Sequence, residues 1–267
     1  MTARIAVRNL WKEYGDQVVL ERINLSVAAG EFCTIVGASG CGKTTFLRLL
    51  LGEETQTRGE ILLDGEPLPA EPGPDRGIVF QRYSVFPHLS VLRNVMLGLE
   101  LKAAPLTGRL FGAARREARD QAQKMLEAVG LGRALDKYPD ALSGGMQQRL
   151  ALAQSLVMHP RILLLDEPFG ALDPGIRADM HELVARLWRE NDLTVFMITH
   201  DLREGFSLGT RLLVFDKLRH DPQAPHAFGA GITYDLPVAR ADQRVLKEIA
   251  EEVAESEALA GANALLT

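Results

Sequence analysis

What this chain of 267 residues has little of narrows its class before any motif is read. It has two cysteines, Cys33 and Cys41, too close together to suggest a disulfide framework and without further ligands at metal-binding spacing; reduced thiols in a reducing compartment are expected. Positive charge is in deficit, with 30 Lys and Arg against 35 Asp and Glu and a net charge of −5. The chain therefore lacks the field that favours sequence-independent contact with phosphodiester backbones, and no nucleic-acid partner is expected. No apolar run approaches the length of a membrane-spanning helix, and the start, MTARIAVRNLWKEYGD, is broken by charges where a secretory signal would be continuous. The expected place is the cytoplasm, or a membrane reached through a partner. What is present, 46% apolar residues in a chain of this length, suits one large α/β domain or one core with a subdomain and excludes disorder as the dominant state.

Three regions follow one another. Up to about residue 66, short apolar runs (IAVRNL, QVVLERINLSV, EFCTIV, GEILLDGEPL) alternate with turns and read as strands, interrupted by one helix from Lys43 to Leu51. From Val91 to Met158 the period becomes helical: Ala118, Ala122, Met125, Leu126 and Val129 share one face, and a further helix starts at Ser143 with Met146, Leu150, Ala153 and Val157 on one side. Beyond Pro160 come RILLLD, a helix carrying Ile176, Met180, Leu183, Val184 and Leu187, then LTVFMIT and RLLVFD. Unbroken apolar runs of that kind suit strands buried on both faces of a parallel sheet. The segment RHDPQAPHAFGAG (219–231) reads as a solvated loop, and its His220 and His226 lack further ligands at metal spacing. Residues 241–267 read as an acidic, Ala-rich helix with a frayed tail.

The chemistry starts at Gly37-Ala38-Ser39-Gly40-Cys41-Gly42-Lys43-Thr44, between the strand FCTIV and the helical run that begins with Thr45. This is the strand, Gly-rich loop and helix arrangement that cradles phosphates. Backbone N–H groups turn inward, the helix dipole favours the anion, Lys43 meets the β and γ phosphates, and Thr44 supplies a hydroxyl to Mg²⁺. The chain is therefore expected to bind a nucleoside triphosphate. Within the loop, the helix N-terminus and Lys43 would lower the Cys41 thiol pKa, but a packing or incidental role for the thiol is favoured over a regulatory one. Further on, Ile162 to Leu165 form an apolar strand ending in Asp166 and Glu167. Paired acids at a buried strand tip call for a cation or a reaction. Asp166 is expected to hold Mg²⁺, and Glu167 to orient and deprotonate the water that attacks the γ-phosphate.

Leu142-Ser143-Gly144-Gly145-Met146-Gln147-Gln148-Arg149 resembles the signature motif of the ABC ATPases, with a Ser N-cap and glycine N–H groups at a helix start as a second anion site. From about Ile5 to Asp216 the other elements of that family match in order. Gln81 resembles the glutamine that contacts Mg²⁺ and links the core to the helical subdomain. Asp173, in ALD, resembles the loop that crosses the dimer interface, and His200, in ITHD, the histidine that reaches the γ-phosphate. Tyr14 resembles the aromatic residue that stacks on adenine. The resemblance implies an α/β P-loop NTPase with a RecA-like core (1–88 and 159–236), an antiparallel β subdomain and an inserted helical subdomain (about 89–158), followed by a short acidic helix and tail (237–267). ATP and Mg²⁺ are the implied ligands.

The same resemblance implies partners: a second copy in a head-to-tail dimer that sandwiches two nucleotides, separate membrane-spanning permease subunits, and an extracytoplasmic solute-binding protein. The chain would then lie on the cytoplasmic face of the membrane, with coupling helices docking near Tyr83, Phe86 and Pro87, while Val91 and Val95 pack inside. PFGALDP, Met146 and the short C-terminus are most similar to importers of the nitrate, sulfonate and taurine type; no chain is left for the regulatory β domain of sugar importers. Two departures are Gly205, where an alanine is common, and the 219–231 loop, which interrupts the usual final hairpin. The alternatives are a soluble ABC ATPase uncoupled from transport, for example of the iron–sulfur assembly type, and a regulator that binds nucleotide without turnover.

Overall fold

The computed structural model describes residues 3–81, 84–105, 107–219, 223–224, 226–238 and 251. Tyr83, His220 and most of the expected C-terminal helix lie outside the described residues. The chain divides into two compact units, Met1–Gly73 with Thr194–Thr267, and Pro74–Leu193.

In the first unit, β1 (Ala3–Tyr14) and β2 (Gln17–Ala28) form an antiparallel hairpin closed at Gly15 and Asp16. On β2, Ile23, Leu25 and Val27 are buried while Arg22, Asn24 and Ser26 face solvent, the period-two pattern of a sheet covered on one side. β4 (Arg58–Leu63) pairs with β1, and β5 (Glu66–Pro67) with β4, completing the order β2-β1-β4-β5.

The second sheet of this unit is centred on β3 (Phe32–Val36), flanked in parallel by β8 (Thr194–Ile198) and β9 (Arg211–Asp216). All five residues of β3 and all five of β8 are buried, so these strands need apolar side chains on both faces. α1 (Lys43–Leu51) follows β3, and α6 (Leu202–Leu208) lies against it. β10 (Gly231–Pro237) closes the edge antiparallel to β9. Arg211 clamps that edge: its guanidinium donates to both Asp235 carboxylate oxygens at 2.6 and 2.7 Å, to Glu31 at 3.0 Å and to the Ser26 carbonyl at 2.7 Å.

The second unit pairs β6 (Arg76–Val79) in parallel with β7 (Ile162–Asp166). Its helices are α2 (Val91–Ala103), α3 (Gly112–Ala128), α4 (Gly144–Leu156) and α5 (Pro174–Glu190). Ser90 and Ser143 cap α2 and α4, accepting from the N–H groups of Arg93 and Met146, each at 3.4 Å. Both helices therefore start where a Ser hydroxyl satisfies an otherwise orphan donor. Helix α4 is buried well beyond the single expected stripe: Gln148, Ala151, Leu152 and Leu156 join Leu150 and Ala153. Val91 and Val95 are fully buried, as internal packing requires.

The described part of the 219–231 segment is a loop, exposed over most of its length as expected, but backbone bonds tie it down. Val18 N donates to the His226 carbonyl, Ala230 N to the Val19 carbonyl and Glu21 N to the Ala230 carbonyl, each at 2.9 Å, laying the strip along β2. Arg219 pairs with Glu21 and lies 4.3 Å from the Phe228 ring centroid. The loop composition hid this because unpaired backbone groups of β2 provide the partners, whatever side chains the strip carries.

Candidate active site

The first unit contains the phosphate loop. Strand β3 delivers the chain into Gly37, and α1 begins at Lys43 with Gly42 in the left-handed region at φ 94°. At Gly37 a side chain is impossible: φ is 146° and a Cβ would stand 2.0 Å from the Phe215 carbonyl oxygen. Ala38 is buried, whereas Ser39 and Gly40 are exposed at the crown of the turn. Lys43 is 8% exposed and folds back into the loop, donating to the carbonyls of Gly37 at 2.6 Å and Ala38 at 2.8 Å. The ammonium thus closes the loop into a ring, and Thr44 and Thr45 follow on the first turn of α1.

Cys41 departs from expectation. Its sulfur lies 3.9 Å from Lys43 Nζ and 3.5 Å from the Phe215 carbonyl. Burial pushes its thiol pKa up and outweighs the lowering by the Lys43 charge. The packing role favoured for Cys41 therefore holds and the lowered pKa does not: the side chain points into the core below the loop, where a thiolate would be desolvated. Both cysteines are free.

Tyr14 ends β1 at 45% exposure, and its hydroxyl hydrogen-bonds the Glu54 carboxylate. Lys12 Nζ sits 4.6 Å from the ring centroid, 3.1 Å from Glu54 and 2.9 Å from the Thr55 carbonyl. One face of the ring is therefore covered by a cation. Burial and the Glu54 carboxylate push the phenol up to about 12, against an opposing hydrogen bond with Thr45, so it stays neutral throughout the physiological range. Burial opposes ionisation of Glu54, but its bonds from Tyr14 and Lys12 and the nearby Lys12 and Arg48 charges hold its carboxyl below the usual value. In the same unit His200 stands exposed beyond β8, between buried Thr199, whose hydroxyl donates to Glu204 at 2.6 Å, and Asp201, which accepts from Arg203 N at 2.8 Å to cap α6. At Gly205 an added Cβ would meet Thr34 Oγ1 at 3.4 Å, an ordinary contact, so nothing in the packing demands glycine there.

The second unit brings together Gln81 and Glu167: Gln81 Nε2 donates to Glu167 Oε2 at 3.1 Å. Strand β7 is buried up to Leu165 and half-buried at Asp166 and Glu167, so both acids emerge where the apolar run stops. Glu167 itself has φ 46°, an uncommon conformation for a residue with a side chain and a small local strain of the sort found where geometry serves function. Asp173 is exposed at the start of α5 and, among the described residues, its side chain makes no cap. Ser143 and Gly144 are exposed at the start of α4, whereas Gly145 is buried, and a Cβ there would meet Ile176 Cγ2 at 2.5 Å.

Residues 20–170 match the ABC transporter family. The chain belongs to that family. Over 223 residues, 84% of this chain and 78% of the relative, it is 45% identical to the nitrate import ATP-binding protein NrtD of Synechocystis. It is 40% identical over 252 residues, 92% of this chain and 72% of the relative, to the aliphatic sulfonates import ATP-binding protein SsuB 1 of Burkholderia cenocepacia. A solved dimeric, post-hydrolysis structure of the ATP-binding cassette MJ0796 bound to ADP and Pi superposes with a TM-score of 0.70 at 28% identity, covering 89% of this chain and all of that one. The α/β P-loop NTPase fold is thereby shown, and the chain is an ABC-family ATPase. No helix among the described residues is long and apolar enough to cross a membrane.

Two features of this ABC ATPase escaped the sequence reading. The first is the Lys12 and Glu54 pair that holds Tyr14. The second is Asn94, 2% exposed, whose side chain accepts from Phe86 N at 2.8 Å and donates to the carbonyls of Phe86, Leu89 and Ser90 at 2.9 to 3.1 Å. The available signal was a poor helix former among the apolar residues of VLRNVML. Replacing Asn94 with Ala should cost about 2 kcal/mol, because it strips the partly buried Phe86 N–H and Leu89 carbonyl of their side-chain partner. Hydrogen exchange should then accelerate at 86–90; unchanged protection there would show that the segment holds itself.

Proposed function

We propose that this chain is the ATP-hydrolysing subunit of an importer for a small polar solute of the nitrate and sulfonate kind, acting as a dimer beneath separate membrane-spanning subunits. The observation that carries the reading is the Gln81–Glu167 hydrogen bond. It joins a residue just before the Phe86–Ser90 segment, where Phe86, Pro87 and His88 are exposed, to the carboxylate assigned to activate water. A permease segment seated at Phe86 would thus act on hydrolysis through one side-chain contact. Names of relatives that import nitrate and aliphatic sulfonates support the solute class.

In this reading Tyr14 offers adenine the ring face opposite Lys12, and the loop N–H groups from Gly40 to Thr45 take the phosphates. Lys43 leaves the Gly37 and Ala38 carbonyls for β and γ oxygens. Glu167 takes a proton from water as the water oxygen attacks the γ-phosphorus, and the bond to the β–γ bridging oxygen breaks, leaving ADP. His200 would hold a γ-phosphate oxygen. The Thr44 hydroxyl, the Gln81 amide oxygen and the Asp166 carboxylate are hard oxygen donors of the kind Mg²⁺ takes; they would hold the ion, which would supply charge neutralisation at the phosphates. Ser143 and Gly144 would meet the γ-phosphate held by a second copy, with Asp173 at the dimer interface. The chain would thereby work at the cytoplasmic face of the membrane, with a solute-binding protein delivering cargo on the other side.

Affinity purification of the tagged chain from its native membranes tests this. A pair of membrane-spanning subunits should accompany it, and ATP turnover of the reconstituted complex should rise with a loaded solute-binding protein. Turnover by a chain that brings down only soluble proteins would favour an ATPase uncoupled from transport.

A further inference from the structure

The connection between α2 and α3 in the second unit carries a surface that ATP hydrolysis does not use. Leu101 is 50% and Phe111 74% exposed, and Gly108 folds back to within contact of Leu101, where an added Cβ would lie 3.8 Å from Leu Cδ2. The turn is compact, with Gly108 N donating to the Ala104 carbonyl at 2.7 Å. Around these two apolar side chains stand Lys102, Arg109, Arg115, Arg116 and Arg119, all exposed. Five cations against Glu117 and Asp120 make residues 101–120 locally +3 in a chain whose net charge is −5. None of the five cations is ion-paired among the described residues.

Helix geometry sorts these charges. Helix α3 is buried along Ala118, Ala122 and Leu126, and residues 112–117 are all exposed. At about 100° per residue the buried Ala118, Ala122 and Leu126 span about 0° to 80°, Arg115, Arg119 and Arg116 fall at about 60°, 100° and 160°, Asp120 lies beside Arg116 at about 200°, and Glu117 lies on the far side at about 260°. Arg119 and Arg116 therefore lie on one flank, with Arg115 exposed in line with the buried stripe at the helix start after Phe111 and Asp120 as the single acid beside them.

We propose that this tip binds an anionic lipid surface, with Phe111 and Leu101 entering the headgroup region and the cations meeting lipid phosphates. Unpaired cations flanking exposed apolar side chains complement such a surface in both charge and polarity. A protein partner would need to match both the arginine flank and the apolar tip with a shaped acidic surface. A bilayer needs no such shape.

The test is co-sedimentation of the full chain with vesicles of phosphatidylcholine containing phosphatidylglycerol, against phosphatidylcholine alone. Binding is expected on the anionic vesicles only and should weaken with added salt. The double variant Arg115→Glu, Arg116→Glu should bind about tenfold or more weakly, and Phe111→Ser about fivefold more weakly. ATP turnover in solution should be unchanged for both, since neither site belongs to the nucleotide machinery; that turnover also reports folding. Absence of binding at low salt, or equal binding by the charge-reversed variant, overturns the proposal. So does a charge-reversed variant that loses a co-purified protein while the unaltered chain ignores vesicles, because the patch would then serve an acidic protein surface.

Discussion

Glu167→Gln is expected to reduce ATP turnover about a thousandfold while ATP still binds. The substitution keeps the side chain's shape and its ability to accept from Gln81, now at 3.1 Å, but an amide cannot take the proton of an attacking water. The strained backbone at φ 46° is equally tolerable to either residue, so stability should change little. Binding contacts to phosphate come from elsewhere, so nucleotide should remain bound without turning over. Contacts between two copies that depend on bound ATP should then persist, and the ATP-bound variant should elute as a dimer in size-exclusion chromatography with light scattering. Phosphate release measured alongside separates the two effects. Turnover within a few-fold of the unaltered chain would remove Glu167 as the base. A monomeric variant saturated with ATP would count against the sandwich arrangement.

Lys43→Ala has the second large effect, and the structure sets its size. A buried ammonium making two charge-assisted bonds to phosphate oxygens is worth about 4 kcal/mol. That ammonium also donates to the carbonyls of Gly37 and Ala38, bonds it would give up to reach phosphate. The net loss in ATP affinity is therefore closer to about 3 kcal/mol, roughly a hundredfold in Kd. A second consequence follows from the same contacts. Without Lys43 the two carbonyls lose their donor, and the loop should loosen even without nucleotide, seen as faster amide exchange at 37–42. Calorimetric titration with ATP reads the first effect. Undiminished affinity would mean that Lys43 remains folded on its own loop when nucleotide binds.

Local signals were the ones the sequence displayed. The helix expected from Lys43 to Leu51 occupies those residues, because the Gly-rich turn ends where an apolar helical run begins. Ser143 caps α4 because its hydroxyl needs only the N–H three residues on. Strand β7 stops at Asp166 because the buried apolar run stops there. Each of these depends on neighbours a few positions away, and spacing reports such neighbours directly.

What escaped depends on distant residues. Tyr14 is held by Glu54 and Lys12, and the 226–230 strip by backbone groups of β2. Cys41 was expected to be acidified by its place in the loop. Its sulfur turns instead towards the Phe215 carbonyl, in a core where burial outweighs the Lys43 charge.

Residue type and spacing were enough to reveal the family, the phosphate loop and the order of the chemical groups along the chain. Tertiary structure alone decided that Gln81 touches Glu167, that Lys43 satisfies its own loop, that Asn94 ties down the exposed Phe86 segment, and that unpaired arginines stand beside an uncovered phenylalanine. Hydrogen bonds reach about 3 Å, and burial depends on every neighbouring element. Which distant groups come within that reach is settled only when the chain has packed.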